Sequence, residues 1–196
     1  MSIEPGRYML GPKNGTLTVR TGRHGRAAKA GHNLLIEVGA WSASVKVAGD
    51  PGQSALELTA DSRSLRVLDG TGGIHGLTEH DKAGIAKTIN EEVLKGTAIA
   101  FRSTSIEADG TGRMTVRGDL DLSGTTRPVG FELALGDDGR IAGSAKLTQS
   151  GWGMKPYSAM FGALKVNDEV EVAIDATLSG PAEVAASARD MGPLSR

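Results

Sequence analysis

The sequence of 196 residues contains no cysteine. Disulfide frameworks and thiolate metal sites are therefore excluded, while the cellular compartment stays open on this ground alone. Aromatic residues make up only 4% of the chain. An interior must accordingly be built from aliphatic and small side chains.

An excess of one charge is also missing, because 22 lysines and arginines nearly balance 23 aspartates and glutamates. Such a chain has no overall field to attract nucleic acid. No apolar run reaches the ~18 residues of a membrane span, and residues 1–8 lack the basic and apolar regions of a secretory signal. We therefore expect a cytoplasmic protein with no nucleic-acid partner and no membrane span.

What is present is an alternation of apolar and polar residues, most regular at residues 33–47. A period of two places one set of side chains on each face of a β-strand. The same rhythm returns along the chain between glycine-rich turns, and Asn14-Gly15 is a strong signal for a β-hairpin. The pattern predicts one all-β antiparallel domain over residues 1–179. The alanine-, serine- and proline-rich residues 180–196 predict a disordered tail.

The alternation is interrupted at residues 78–95, where apolar residues recur every four positions from Ile85 to Val93. This spacing predicts an amphipathic helix. Thr78 with Asp81 three residues later resembles a capping box, which favours a helix start at that point. The glycine-rich connector (residues 69–76) that precedes the helix matches no phosphate-binding motif.

The register of the alternation defines which side chains face the interior. Two tightly packed sheets would fill that interior, whereas a curled sheet of about eight strands leaves space for one small ligand. In the hollow arrangement, the expected ligand contacts are Leu34, Ile36, Trp41, Val45, Leu65, Val67, Ile99, Phe101, Met114, Val116, Phe131, Leu133, Trp152, Met160 and Phe161. The last three belong to the aromatic segment (residues 152–164), which either plugs the barrel or forms a lid.

Several stretches resemble a known family. Residues 31–36, 99–106 and 116–129 are similar to strands and a hairpin of the YceI-like family, and residues 147–153 and 166–174 to its closing motifs. Proteins of this family are lipocalin-like bacterial proteins that enclose a polyisoprenoid or related lipid. The resemblance implies an antiparallel lipocalin-like β-barrel around a long apolar ligand.

Catalytic signatures are scarce. The sequence has four histidines, and His75 and His80 are five residues apart, which is not the spacing that places two metal ligands on one helix face. We therefore expect no metal and no cofactor. No Gly-x-Ser-x-Gly elbow is present. His32 is interpreted as a buried structural histidine, a ligand contact, or the base of a small hydrolase or isomerase.

Arg20, Arg23, Arg26 and Lys29 follow at three-residue intervals, and most lie in the basic loop (residues 22–31). One interpretation is a solvated loop. Our hypothesis is that Arg23 and Arg26, together with His32, lie at the barrel mouth and bind a phosphate or pyrophosphate head group.

The sequence thus predicts non-enzymatic binding or carriage of an isoprenoid or fatty-acyl lipid. Two alternatives remain open at this point. One is a small hydrolase or isomerase that uses His32, and the other is a dimeric interaction module with a filled barrel. A homodimer is compatible with each of these functions.

Overall fold

The computed structural model describes residues 4–180. Its strands are β1 (Gly6–Leu10), β2 (Gly15–His24), β3 (Asn33–Val38), β4 (Trp41–Val47), β5 (Ala55–Asp61), β6 (Leu65–Thr71), β7 (Ala98–Ala108), β8 (Arg113–Leu122), β9 (Thr125–Leu135), β10 (Arg140–Thr148), β11 (Ser158–Ala159) and β12 (Leu164–Thr177). The helix α1 (Glu79–Thr88) is followed by a π-helical turn at Ile89–Val93. The predicted disordered tail lies outside the described residues, apart from Gly180.

Twelve strands are present where about eight were expected, and bends account for most of the difference. β3 and β4 pair in succession with β6 and β5, all antiparallel. At the bend, the amide of Gly39 donates to the carbonyl of Ser64 (3.0 Å), and the amide of Asp61 donates to the carbonyl of Ala40 (2.9 Å). The hydrogen-bonded ladder therefore continues across the bend, and β3–β4 and β5–β6 are two long bent strands.

The hairpin predicted at Asn14-Gly15 is wrong. β1 pairs with β4, and β2 pairs with β3 and β12, so β1 and β2 continue one another instead of folding back. The Asn14 amide group donates to the carbonyls of Met9 (3.0 Å) and Thr177 (3.1 Å), and its oxygen accepts from the amide of Gly11 (2.9 Å). Asn14 therefore joins three chain segments, a role that the local sequence does not reveal.

The sheet curls until its ends meet. From β5 the pairing runs through β7, β8, β9 and β10 to β12, and β12 also pairs with β2, whose partner β3 leads back through β4 to β5. Every one of these pairings is antiparallel. The expected all-β, lipocalin-like barrel is therefore confirmed.

The outer face of the barrel carries ion pairs between neighbouring strands. Arg102 lies 3.1 Å from Glu57, and Lys146 lies 2.9 Å from Glu169. All four side chains are largely exposed, so water and salt screen these pairs and their contribution to stability is small. The polar half of the alternation therefore faces solvent, and the apolar half faces inward.

The helix begins as the sequence predicts. The Thr78 hydroxyl accepts from the amide of Asp81 (3.2 Å), and the Asp81 carboxylate accepts from the amide of Thr78 (2.9 Å), which completes the capping box. The Thr78 hydroxyl also donates to the Asp81 carboxylate (2.7 Å), and this hydrogen bond, with the one from the Thr78 amide, lowers the pKa of Asp81. After the π-helical turn, Lys95 and Gly96 adopt left-handed conformations that end the helix.

The connections that follow β2, β6 and β10 all lie at one end of the barrel, because the strands around the ring alternate in direction. This end, which we call the mouth, carries the basic loop, the glycine-rich connector with α1, and the aromatic segment. The first part of the basic loop, residues 22–24, belongs to β2. The elements with the most irregular sequences are therefore gathered at one place.

Candidate functional site

The barrel encloses a cavity of about 980 Å³. Most of the predicted ligand contacts line it: Leu34, Ile36, Val45, Leu65, Ile99, Phe101, Met114, Val116, Phe131 and Leu133. Their shared feature is an inward position on a strand of the ring. The register of the alternation therefore located the wall of the cavity correctly, while contact with a ligand stays a prediction.

Partial burial on the inner face shows that the barrel is hollow. Val172 and Ile174 of β12 point into the cavity, yet they are only partly buried. Val170, on the same face, has the same character. In a filled interior these side chains would be completely buried, because protein cores are close-packed.

Three predicted contacts are buried but lie outside the cavity lining. Trp41 follows the bend between β3 and β4 directly, and Val67 lies where the register between β3 and β6 shifts. Trp152 packs into the core and donates from its indole Nε1 to the carbonyl of Leu120 (3.2 Å). A bend, a bulge and a side-chain hydrogen bond direct these residues away from the cavity.

Met160 and Phe161 are exposed and are also absent from the cavity lining. Both residues have a positive φ, of 54° and 53°, in a tight turn beyond β11. Met154 and Tyr157, from the same aromatic segment, do line the cavity. The segment is therefore divided between the cavity wall and the outer rim of the mouth.

The helix forms part of the cavity, which the sequence did not predict. Ile85, Ile89 and Val93 line the cavity, as does Gly84, whose Cα faces open space. The four-residue spacing identified the apolar stripe, but nothing in it indicated what the stripe would cover. In the structure, this stripe covers part of the hollow at the mouth.

The largest set of polar groups in the lining is at the mouth. Arg23, His32, His75, His80 and Asp81 line the cavity there, and Lys46 and Ser54 line it at the opposite end, where β4 ends and β5 begins. Because the wall between these ends is mostly aliphatic, the cavity has a long apolar body. The polar groups at the mouth can orient a ligand that has a single polar head.

Arg23 already has partners in the protein. Its Nε donates to the carbonyl of Ala28, and its Nη1 donates to the carbonyl of Thr71 (3.2 Å). It thereby connects the basic loop to the glycine-rich connector. Arg26 is exposed and lies outside the cavity lining. The structure thus places Arg23 and His32 in the cavity lining at the mouth, and Arg26 on the outer side of the same basic loop.

His32 is partly buried, and its Nε2 lies 2.8 Å from the carbonyl oxygen of His75. A carbonyl oxygen only accepts, so the geometry assigns a proton to Nε2. The connector passes closely over this ring, since a Cβ at Gly73 would lie 2.1 Å from Nε2. His32 therefore holds the connector in place, as a structural histidine does.

The described residues were also compared with the requirements of a metal site and of a membrane-spanning helix. Within residues 4–180, no group of three or more His, Cys, Asp or Glu side chains is arranged to hold a metal ion. In the same part of the chain, no helix has the length and apolar character needed to cross a membrane.

A closed antiparallel ring around an apolar cavity is typical of hollow lipocalin-like barrels. The family model that matches the chain is the YceI-like domain, over residues 8–178. The protein therefore belongs to the YceI-like family. The resemblance of the sequence motifs to this family is confirmed.

Two solved structures illustrate the shared fold. The crystal structure of BcnA from Burkholderia cenocepacia matches with a TM-score of 0.64 at 15% identity, covering 84% of this chain and 96% of BcnA. The Campylobacter jejuni YCEI protein matches with a TM-score of 0.52 at 12% identity, covering 74% of this chain and 85% of that one. A comparison with curated proteins gives no match. At such identities the structural matches show the fold alone.

Proposed function

We propose that this protein binds a long apolar molecule, an isoprenoid or a fatty-acyl lipid, inside its barrel without transforming it. The supporting observation is the aliphatic cavity of about 980 Å³. Ligand pockets commonly measure ~300–1,000 Å³, so this cavity is large. Removal of apolar ligand surface from water, at about 25 cal/mol per Å², supplies the driving force.

The distribution of polar groups favours binding over catalysis. Nε2 of His32 donates its proton to the carbonyl of His75, which leaves Nδ1 as the one nitrogen of this ring able to accept a proton. The Asp81 carboxylate accepts two hydrogen bonds from Thr78 in the capping box. Both groups therefore already make structural hydrogen bonds, which supports a binding role.

The proposal is tested by filling the cavity. Ala145 of β10 faces inward and lines the cavity, whereas Ala142 lies on the same strand and outside the lining. Ala145→Phe should weaken the binding of the fluorescent fatty acid cis-parinaric acid, because the ring occupies ligand space. Ala142→Phe, the matched control, should leave the affinity unchanged.

Native mass spectrometry, followed by organic extraction of the purified protein, identifies any lipid that copurifies. We expect one lipid per chain in the wild-type protein and in the Ala142→Phe variant, and a reduced amount in the Ala145→Phe variant. Equal lipid content in all three proteins, or no binding of cis-parinaric acid by any of them, would contradict the proposal.

We further propose that cations at the mouth bind a phosphate or pyrophosphate head group. Arg26 is the cleaner position for a test, because Arg23 also holds the loop and the connector together. Arg26→Glu should weaken competition by farnesyl pyrophosphate against cis-parinaric acid and should spare competition by farnesol. Equal loss for both competitors, or loss for neither, would count against the head-group site.

A further inference from the structure

Large apolar side chains are exposed around the mouth. Within residues 4–180, six large apolar side chains are exposed, and four of them lie at this end: Ile74 (71%), Tyr157 (42%), Met160 (57%) and Phe161 (112%). Ile74 and Tyr157 also line the cavity. We propose that this apolar rim docks the protein onto the surface of an anionic lipid bilayer, with the mouth facing the bilayer.

The rim is one continuous surface, because the segments that carry it are in contact. The amide of Ala27 in the basic loop donates to the carbonyl of Ala163 (2.9 Å), two residues from Phe161. On its other side the basic loop meets the connector that carries Ile74, since Arg23 donates to the carbonyl of Thr71. The basic loop therefore lies between the two exposed apolar segments.

The backbone at Phe161 has an unusual conformation. Met160, Phe161 and Gly162 all have positive φ values, of 54°, 53° and 84°. Bulky side chains seldom adopt this conformation in the absence of a special reason. Here the turn carries an aromatic ring that is fully exposed to solvent. An aromatic ring held in this position is well suited to insertion at a membrane interface.

The charges of the rim complement anionic head groups. Four cations of the rim are exposed: Arg26 and Lys29 of the basic loop, Lys155 of the aromatic segment, and Lys165 directly after that segment. Among the described residues, none of these four cations lies within ion-pair distance of a carboxylate. Basic residues next to exposed apolar groups are typical of surfaces that bind anionic lipid.

Acidic groups also lie at this end. Asp69 belongs to the connector, Asp81 lines the cavity, and Asp168 accepts hydrogen bonds from Ser150 that lower its pKa and keep it ionised. Among the described residues, none of these carboxylates lies within ion-pair distance of the four rim cations. Glu91 and Glu92 lie at the end of the helix that leads into β7. In the ring of paired strands, β7 is opposite β12, so these carboxylates are distant from the rim cations.

A second copy of this chain fits the rim less well than a bilayer does. In a two-fold dimer the same patch faces itself, so the patch that carries Arg26 and Lys29 would face a second patch with the same cations. Such a pairing places like charges together. An anionic bilayer satisfies the cations and buries the apolar side chains at the same time.

The test is cosedimentation with vesicles that contain phosphatidylglycerol, compared with vesicles of pure phosphatidylcholine. We expect the wild-type protein to sediment with the first type only, and less at high salt. Phe161→Gly should fold normally, because glycine adopts a positive φ freely. It should weaken vesicle binding about tenfold or more, from the loss of a buried aromatic ring.

One control and one further variant separate docking from general effects. Met9→Ser removes an exposed apolar side chain from β1, outside the mouth, and should not change vesicle binding. The double variant Arg26→Ser, Lys29→Ser should lose binding to the anionic vesicles and keep its thermal stability.

Vesicle binding can be measured independently of ligand binding in the cavity. Phe161 lies outside the cavity lining, so Phe161→Gly should bind cis-parinaric acid in vesicle-free solution like the wild type. Failure of the wild-type protein to sediment with the anionic vesicles, or equal sedimentation of Phe161→Gly, would overturn the docking proposal. A dimer that forms without vesicles and is abolished by Phe161→Gly would assign the rim to self-association instead and would also overturn it.

Discussion

At the scale of single residues, close backbone approaches determine which substitutions the wall of the cavity tolerates. The ring of Phe101 lies over Gly118 of the neighbouring strand and is 5.3 Å, between ring centroids, from that of Phe131. A Cβ at Gly118 would lie 2.3 Å from the carbonyl oxygen of Arg102 and 2.6 Å from the Phe101 ring. The ring of Phe101 can therefore occupy its place beside Phe131 only because residue 118 has no side chain.

Gly118→Ala should lower the free energy of unfolding by about 1–3 kcal/mol, the usual effect of overpacking. The backbone oxygen of Arg102 cannot move aside as a flexible side chain can. Urea-induced unfolding gives the comparison. Gly130→Ala on the adjacent strand is the control, since its new Cβ would meet nothing nearer than 3.7 Å. Equal stability of the two variants would show that the close approach is unimportant.

At the scale of elements, the helix combines a strong start with a weak interior. Its capping box is complete, but Gly84 interrupts the middle of α1, faces the cavity and has no atom within 4 Å of an added Cβ. A glycine within a helix is less stable than alanine by ~1 kcal/mol. The element is therefore held mainly by its cap and by the apolar stripe.

Gly84→Ala should raise the free energy of unfolding by as much as ~1 kcal/mol, because alanine loses less backbone entropy in the helix. Thermal unfolding measures the change. Gly153→Ala is the contrasting variant, since Gly153 also has no atom within 4 Å but has a φ of +72°. We expect that variant to be destabilised. A fall in the melting temperature of Gly84→Ala would contradict this prediction.

The capping box should make helix stability depend on pH. Hydrogen bonds from the Thr78 hydroxyl and amide lower the pKa of Asp81 below its ordinary value in the folded protein. Its stabilising contribution is therefore complete above the unfolded pKa of about 3.9 and is lost as the pH falls through the lower folded pKa.

Asp81→Asn should consequently lower the melting temperature at neutral pH and have little effect in strong acid, where the wild-type carboxylate is protonated. Melting curves of both proteins across this range give the test. A difference between the two that stays constant with pH would refute the role assigned to the ionised carboxylate.

At the scale of the whole molecule, a bound ligand should stabilise the folded state. A ligand that binds only the folded state stabilises it by RT ln(1 + [L]/Kd), about 2.7 kcal/mol at one hundred times Kd. Adding cis-parinaric acid to delipidated protein should therefore raise its melting temperature. The rise should be smaller for Ala145→Phe than for Ala142→Phe. Identical shifts in the two variants would place the ligand outside the barrel.

The sequence predicted the wall of the barrel well, because strand periodicity is a local property. Val116 and Leu133 could be placed inward from the residues beside them. Asn14 could not, because its partner Thr177 is distant in the chain. Phe161 was expected inside on the basis of its apolar character alone. Its exposure depends on a left-handed turn. Glycine usually marks such a conformation in a sequence, and position 161 is not a glycine.

The pairing of β2 with β12 has a consequence for synthesis of the protein. These two strands join residues near opposite ends of the described chain, such as Leu17 and Ile174, and contacts so remote in sequence form slowly. The barrel can therefore close only after residues 164–177 have left the ribosome. We expect that a ligand of the proposed kind, if present at that moment, is enclosed as the last strand pairs, without passing the rim.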